Sequence, residues 1–310
     1  MNELPRDTLT PAEAGVLLRG AIDLHCHVNP HYRPEIHSQT ALAYAEQARD
    51  AGMRAIVLKY VGPPTTGTAA VVNSLVQGIE VYGSLVMNLC NGGINPAAVC
   101  RCLEHGDGAR IIFFPTGDTL NHTLYREKFY AGVNPPTPKE KAIAILRDGN
   151  LLPEVHEVLD LVGAADRCLA TAHLSPAEIL PLVEAAQSRV RRILISHALW
   201  KMVGLSFDQL QILIGMGAFV EIEACLTMPL MWFIHGEPPL DPRKAVELIR
   251  TLGAESIVLS TDLGQAYSPV PVEGFRMFLA ALLKCGVTPA EIQVMACRNP
   301  ARLLGLDGTK

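Results

Sequence analysis

Eight short apolar, β-branched runs recur along the chain, most of them separated by stretches of helical periodicity, and this alternation restricts the fold more than any other feature. The runs are AIDLHCHV (21–28), MRAIVLKY (53–60), GSLVMNLC (83–90), ARIIFFPT (109–116), RCLATAH (167–173), RRILISH (191–197), GAFVEIE (217–223) and SIVLSTD (256–262). The stretches between them carry helix punctuation. SQTALAYAEQARDAG ends in a glycine stop. LSPAEILPLVEAAQSR opens with Ser175 as N-cap, Pro176 in the first turn and Glu178 completing a capping box. TPAEAGVLLRG (10–20) and TPAEIQVMACRN (288–299) open in the same way, and DPRKAVELIRTLG stops at Gly253. Strands alternating with helices imply a parallel sheet with helices packed outside it. Eight such units in 310 residues imply a closed (β/α)8 barrel of the TIM type. A doubly wound open sheet is the rival, but no G-x-G-x-x-G or P-loop follows the first run. Without a compositional break, residues 1–310 read as a single barrel domain.

Composition narrows the function classes. A hydrophobic share of 49% suits a large buried core, and a net charge of −5 with no basic block gives no support for nucleic acid as a partner. The N-terminal stretch has acids at Glu3, Asp7 and Glu13 and does not read as a signal peptide. No apolar run reaches the roughly 18–20 residues of a membrane span. The eight cysteines form no C-x-x-C pair; Cys100 and Cys102 are the closest. The expectation is a cytoplasmic protein with reduced cysteines, acting on a small molecule, with homo-oligomerisation left open.

Two connections are longer than connection requires. Residues 117–150 follow the fourth run and are rich in polar, aromatic and proline residues; this insertion is a candidate lid over the barrel mouth. Residues 224–240, with Trp232 and Phe233, follow the seventh run and suit a substrate wall or an oligomer contact equally.

Polar residues near the C-terminal ends of barrel strands point into the lumen mouth, where active sites of this fold sit. Side chains at i and i+2 of a strand share a face, so His25 and His27 stand together, as do Thr171 and His173, Ile195 and His197, and Ser260 and Asp262. Lys59 ends the second run, and Glu221 and Glu223 lie on the seventh. The mouth thus collects four imidazoles, three carboxylates and an ammonium. Neutral imidazoles with a carboxylate make a site for zinc or a similar divalent ion. Lys59 reads either as half of an ion pair with Glu221 or Glu223 or as a grip on an anionic substrate, helped by the hydroxyls of Thr65 and Thr66. Tyr60, Arg126, His122 and Tyr267 on the rim are candidate substrate contacts. His31, His37, His105, His156 and His235 carry no positional argument. Cys225 has no assignable base and does not read as a nucleophile.

The order DLHCH, ATAHLS, ISHA and STDLG, at the ends of runs one, five, six and eight, resembles the amidohydrolase superfamily of metal-dependent hydrolases. The resemblance implies a distorted barrel, a bound metal and usually hydrolysis at carbon or phosphorus. His25, His27, His173, His197 and Asp262 match the family's metal-site positions. Two-metal members carry a carboxylated lysine or a glutamate on the fourth strand, and ARIIFFPTGD has neither. The resemblance with this departure implies one Zn2+ held by His25, His27 and His173, with Asp262 as ligand or base and His197 touching the metal or polarising the substrate. Mn2+, or a second ion bridged by Lys59, Glu221 and Glu223, stays open. Asp262 would take the proton of a metal-activated water, and His197 would stabilise the developing oxyanion. The expected activity is hydrolysis of a small polar, anionic molecule. A decarboxylase or other lyase of the same superfamily is one alternative, and a non-catalytic metal-binding barrel is the other.

Overall fold

In the computed structural model, which describes residues 16–29, 37–129, 137–229 and 237–307, each of the eight runs supplies one strand. In chain order the strands are β1 (Ile22–Cys26), β2 (Ala55–Leu58), β3 (Glu80–Val86), β4 (Ala109–Phe113), the short pair β5 (Leu146–Arg147) and β6 (Asn150–Leu151), then β7 (Cys168–Ala170), β8 (Arg192–Ile195), β9 (Ala218–Glu223) and β10 (Ile257–Ser260). β5 and β6 make a separate antiparallel hairpin inside the 117–150 connection. The other eight form one parallel sheet in the order β1-β2-β3-β4-β7-β8-β9-β10. The ends of that sheet meet beyond β10. Cys26 bridges Leu263, Asp262 N–H donates to His25 O at 2.7 Å, and His27 N–H donates to Leu263 O at 2.8 Å. The result is a nearly closed barrel.

The strands are buried at almost every position, as expected where side chains fill the inside and helices cover the outside. The main helices are α1 (Ala41–Asp50), α2 (Thr66–Leu75), α3 (Pro96–Glu104), α4 (Leu120–Phe129), α5 (Pro153–Ala164), α6 (Pro176–Ala186), α7 (Phe207–Gly215), α8 (Pro242–Leu252), α9 (Pro271–Lys284), α10 (Pro289–Gln293) and α11 (Asn299–Leu304). Their starts follow the sequence signals. Thr40 caps α1 by accepting from Ala43 N–H at 3.1 Å, and Ser175 with Glu178, and Thr288 with Glu291, form capping boxes. The helix expected over 288–299 is interrupted by a π turn at Val294–Arg298 before α11. Most of the 10–20 stretch lies outside the described residues.

The N-terminal end of the barrel is closed by α11 and its caps. Arg192 donates to Arg302 O at 2.9 Å, Arg110 to Leu304 O at 3.5 Å and Arg54 to Leu306 O at 3.1 Å. Cations there satisfy the last carbonyls of the helix and complement its negative end. The polar cluster of the barrel is therefore left at the opposite, C-terminal end.

The strands stop earlier than the runs that announce them. His27, Lys59, His173, His197 and Asp262 all lie one to three residues past a strand end. Ala172, His197 and Asp262 have φ of 49°, 59° and 49°, in the left-handed region. The alternation of faces along a strand therefore does not place these side chains; a turn does. For Glu221 and Glu223, inside β9, the alternation holds.

Candidate metal centre

The centre is built around His25, which is completely buried. Its Nδ1 lies 3.2 Å from Glu221 Oε1, and Ser260 Oγ donates to the same oxygen at 2.7 Å. Its Nε2 stands between Lys59 Nζ at 2.6 Å and Asp262 Oδ1 at 2.9 Å. Asp262 Oδ1 is also 2.8 Å from His27 Nε2, while Oδ2 accepts from Cys225 Sγ at 3.2 Å and lies 3.9 Å from His197 Nδ1. His197 Nδ1 is 3.0 Å from Glu223 Oε1, which accepts the His197 backbone N–H at 2.6 Å. The ring of His173 packs edge-on against His197 at a centroid distance of 4.9 Å.

Turns at the strand ends aim these groups. Asp23, two residues before His25 on β1, is fully buried and accepts from Tyr44 Oη at 2.6 Å, Thr261 Oγ1 at 2.6 Å, Thr261 N–H at 3.0 Å and His25 N–H at 3.2 Å. It joins the end of β1 to the residue before Asp262. Gly264 allows the closing segment to run against His27: at φ 124°, a Cβ would lie 1.5 Å from His27 O. Phe113 supplies a ring face 4.8 Å from Lys59 Nζ.

The electrostatics follow from packing many charges away from water. Burial works against charge on His25, but Asp262 and Glu221 outweigh it and push the imidazole up to about 9. Burial pulls His27 down to about 4 and His197 to about 3, and holds His173 well below the usual imidazole value. Burial also lowers Lys59, against the pull of Asp262, Glu221 and Glu223. Glu221, despite burial, is held at about 2 by His25. Burial and the neighbouring Glu221 and Asp262 push Glu223 up. Burial opposes ionisation of Asp262 too, but His25 and His27 hold it well below the carboxylate range.

Two sets of side chains offer ligand atoms within 4.8 Å of one another: His25, His197 and Asp262, and His25, Glu221 and Glu223. Buried donor atoms are also left without hydrogen-bond partners among the described residues, namely His197 Nε2, Glu221 Oε2 and Glu223 Oε2. Nitrogen and carboxylate atoms grouped in this way, with unsatisfied ones beside them, fit a divalent cation. Asp262 and His27, with side chains 15% and 10% exposed, face the open side, whereas His25, Glu221 and Glu223 at 0% form the floor.

The structure thus brings His25, His197, Asp262, Lys59, Glu221 and Glu223 into one cluster, with His27 bonded to Asp262 and His173 packed on His197. Other expectations fare differently. The Thr65 hydroxyl donates to Leu58 O at 2.7 Å and accepts Ser84 N–H at 2.7 Å, and Thr66 Oγ1 bonds His105 Nδ1 at 3.2 Å; both are committed to packing and do not assist Lys59. Lys59 meets His25 directly. Tyr60 is buried with Thr68 beside its hydroxyl. Arg126 sits on α4, where its charge adds to burial in holding His122 down at about 4. Tyr267 is 69% exposed. Trp232, Phe233, His31 and His235 lie outside the described residues. Asp23 escaped the sequence reading, although a carboxylate inside an apolar strand two residues before His25 was a usable signal. Trp200, edge-on to both His173 and His197 at 5.1 and 5.3 Å, had none. His37, which stacks on His27 at 6.1 Å, was likewise passed over.

The barrel and its mouth define a class. Solved structures that share the fold include the probable dipeptidase PvdM from Pseudomonas aeruginosa (TM-score 0.65, 14% identity, 98% of this chain and 99% of that one). A lactonase from Listeria monocytogenes aligns with TM-score 0.59 and 14% identity over 94% and 95% of the two chains. The 2,6-dihydroxybenzoate decarboxylase from Rhizobium aligns with TM-score 0.52 and 13% identity over 94% and 100%. These neighbours are members of the amidohydrolase superfamily, the family that the motif order resembles; at such identities the likeness is one of fold. The chain itself belongs to DUF6282, a family of unknown function whose profile matches residues 20–221. No curated protein matches the sequence significantly. No helix among the described residues is long and apolar enough to cross a membrane.

Proposed function

We propose that this protein is a metal-dependent hydrolase that acts on a small polar, anionic substrate at the barrel mouth. One observation carries the reading: His25, His197 and Asp262 offer ligand atoms within 4.8 Å of one another, and beside them the buried His197 Nε2, Glu221 Oε2 and Glu223 Oε2 have no hydrogen-bond partner among the described residues. Buried polar atoms without partners are expensive. A divalent cation would satisfy such atoms. His25, His197 and Asp262 would hold it, with His27 and His173 adjoining, and zinc suits this donor set. When bound, such an ion supplies Lewis acidity, which makes a water acidic and polarises a carbonyl or phosphoryl oxygen.

The chain's own residues do the rest. Asp262 Oδ1, on the open side, takes a proton and can return it to a leaving group. His27 Nε2, 2.8 Å away, orients that carboxylate. Glu221 accepts from His25 Nδ1, which leaves Nε2 to face the cluster. Lys59 supplies positive charge for an anionic substrate group, and Arg126 on α4 adds a second cation at the rim. Residues 117–150 act as the lid, consistent with the contact of His122 with His173.

The test is metal analysis of the purified protein, followed by a screen of lactones, amides and phosphate esters with metal-loaded enzyme. Metal content near one ion per chain with turnover of one of these classes is expected. Release of carbon dioxide from an aromatic or keto acid, with no hydrolysis, would replace the reading by that of a lyase. Failure to bind Zn2+ or Mn2+ would end both.

A further inference from the structure

Three of the four residues at 119–122 address one member of the site. Thr119 Oγ1 donates to His173 O at 3.3 Å. Asn121 Nδ2 donates to the same carbonyl at 3.1 Å and to Met202 O at 3.0 Å, so it ties the turn after β7 to the segment after β8. His122 Nδ1 lies 2.9 Å from His173 Nδ1, and the two imidazoles meet edge to edge, their centroids 5.0 Å and their planes 9° apart. Trp200 stands edge-on to both rings. His122 is buried, and His173 is partly buried.

A hydrogen bond between two Nδ1 atoms contains one hydrogen. One ring must carry N–H at Nδ1 and the other a lone pair there, so the two tautomers are opposite. Burial disfavours charge on either ring, so the pair is read as two neutral imidazoles sharing one hydrogen. The two assignments differ for the site. With His173 as donor, its Nε2 holds a lone pair and can serve a cation or accept a proton. With His173 as acceptor, its Nε2 carries hydrogen and can do neither.

We propose that His122 is a positioning residue, which holds His173 in the Nδ1–H form and, with Thr119 and Asn121, fixes where its Nε2 stands. The idea deepens the reading above and rests on its view of His173 as part of the cation's surroundings. It also gives α4 a role beyond covering the mouth: the tautomer of His173 is right only while the helix is seated. Tyr125, one turn later, bonds Glu237 in the segment that follows β9, so the same helix is held from both sides of the mouth.

The metal-free, histidine-labelled protein answers the question through long-range proton–nitrogen spectra, which tell a protonated ring nitrogen from a bare one. His173 is expected with hydrogen on Nδ1 and His122 with hydrogen on Nε2. His122→Phe keeps an aromatic ring and removes the acceptor; His173 should then lose its Nδ1–H preference, and Zn2+ affinity should fall about 10–100-fold, the range for loss of such a supporting bond. His122→Gln, whose amide oxygen can accept from Nδ1–H, should restore both. The proposal is overturned if wild-type His173 carries its hydrogen on Nε2, or if the phenylalanine variant keeps the Nδ1–H form. Should that variant fail to fold, the wild-type spectrum still decides. If the tautomers are as expected but Zn2+ does not bind, the positioning role stands and the metal reading fails.

Discussion

Gly264→Ala tests whether closure of the barrel and geometry of the centre are one structure. Gly264 follows Leu263, whose carbonyl takes the His27 N–H, and its own carbonyl accepts Ser38 N–H at 2.7 Å. An added Cβ would meet His27 O at 1.5 Å and the His27 carbonyl carbon at 2.6 Å. To reach even 3.0 Å the two segments must part by about 1.5 Å. The obstructing atoms are backbone, so no side-chain rotation relieves the clash. Strain at φ 124° costs about 1–3 kcal/mol and overpacking about 1–3 more. At roughly 2.1 cal/mol/K per residue, a chain of this length has an unfolding entropy of about 0.65 kcal/mol/K, so the melting temperature should fall by about 3–9 °C. The control is Gly286→Ala: φ is 94°, and nothing lies within 4 Å of the new methyl. It carries the strain without the collision. Moving the backbone of His27 also pulls its Nε2 from Asp262, and misplacement on the ångström scale costs about 10²-fold in turnover. Calorimetry reads the first effect and turnover of a working substrate the second, with Zn2+ titration of both variants beside them. If Gly264→Ala matched Gly286→Ala in melting temperature and bound the ion like wild type, the argument for a close approach at the mouth would be wrong.

Asp262→Asn should keep the fold, because the side chains are nearly isosteric, while turnover on a working substrate drops by about 10²–10⁴; a wild-type rate would move the base elsewhere. Lys59→Met removes an ammonium that lies 2.6 Å from His25 Nε2 beside Asp262 and Glu221, so the metal-free protein should melt lower and gain more from added Zn2+ than wild type; an equal gain would refute that charge pairing. The metal-free protein should also lose stability as pH falls below about 6.5. His27, His122 and His197 are depressed to about 4, 4 and 3, so unfolding takes up protons between those values and 6.5. His25, raised to about 9, acts at the other end: its contribution is complete below 6.5 and is lost as pH rises through 9. A melting temperature that stayed level between pH 7 and 4 would contradict the burial of these rings.

The eight runs and their order were legible because apolar, β-branched segments between capped helices have few ways to be buried other than a covered parallel sheet. The chemistry was legible as a set of residue types at strand ends: His25, Glu221 and Glu223 lie on strands, and local periodicity places them. His27, His173, His197 and Asp262 lie just past strand ends, and at His197 and Asp262, as at Ala172 beside His173, the backbone is left-handed. Their aim depends on turns, and those turns are held by contacts with distant parts of the chain: Asp23 with Thr261, Gly264 with His27, Thr119 and Asn121 with His173. The partners of Lys59 and of Thr65 and Thr66 were likewise beyond reach, because a polar side chain takes whichever partner the packing leaves nearest. Sequence alone determined the barrel and the list of reactive groups, since both follow from residue type and local spacing. Which nitrogen faces which oxygen was decided only when residues hundreds of positions apart were brought within 3 Å, as with His27 and Asp262, separated by 235 positions and 2.8 Å.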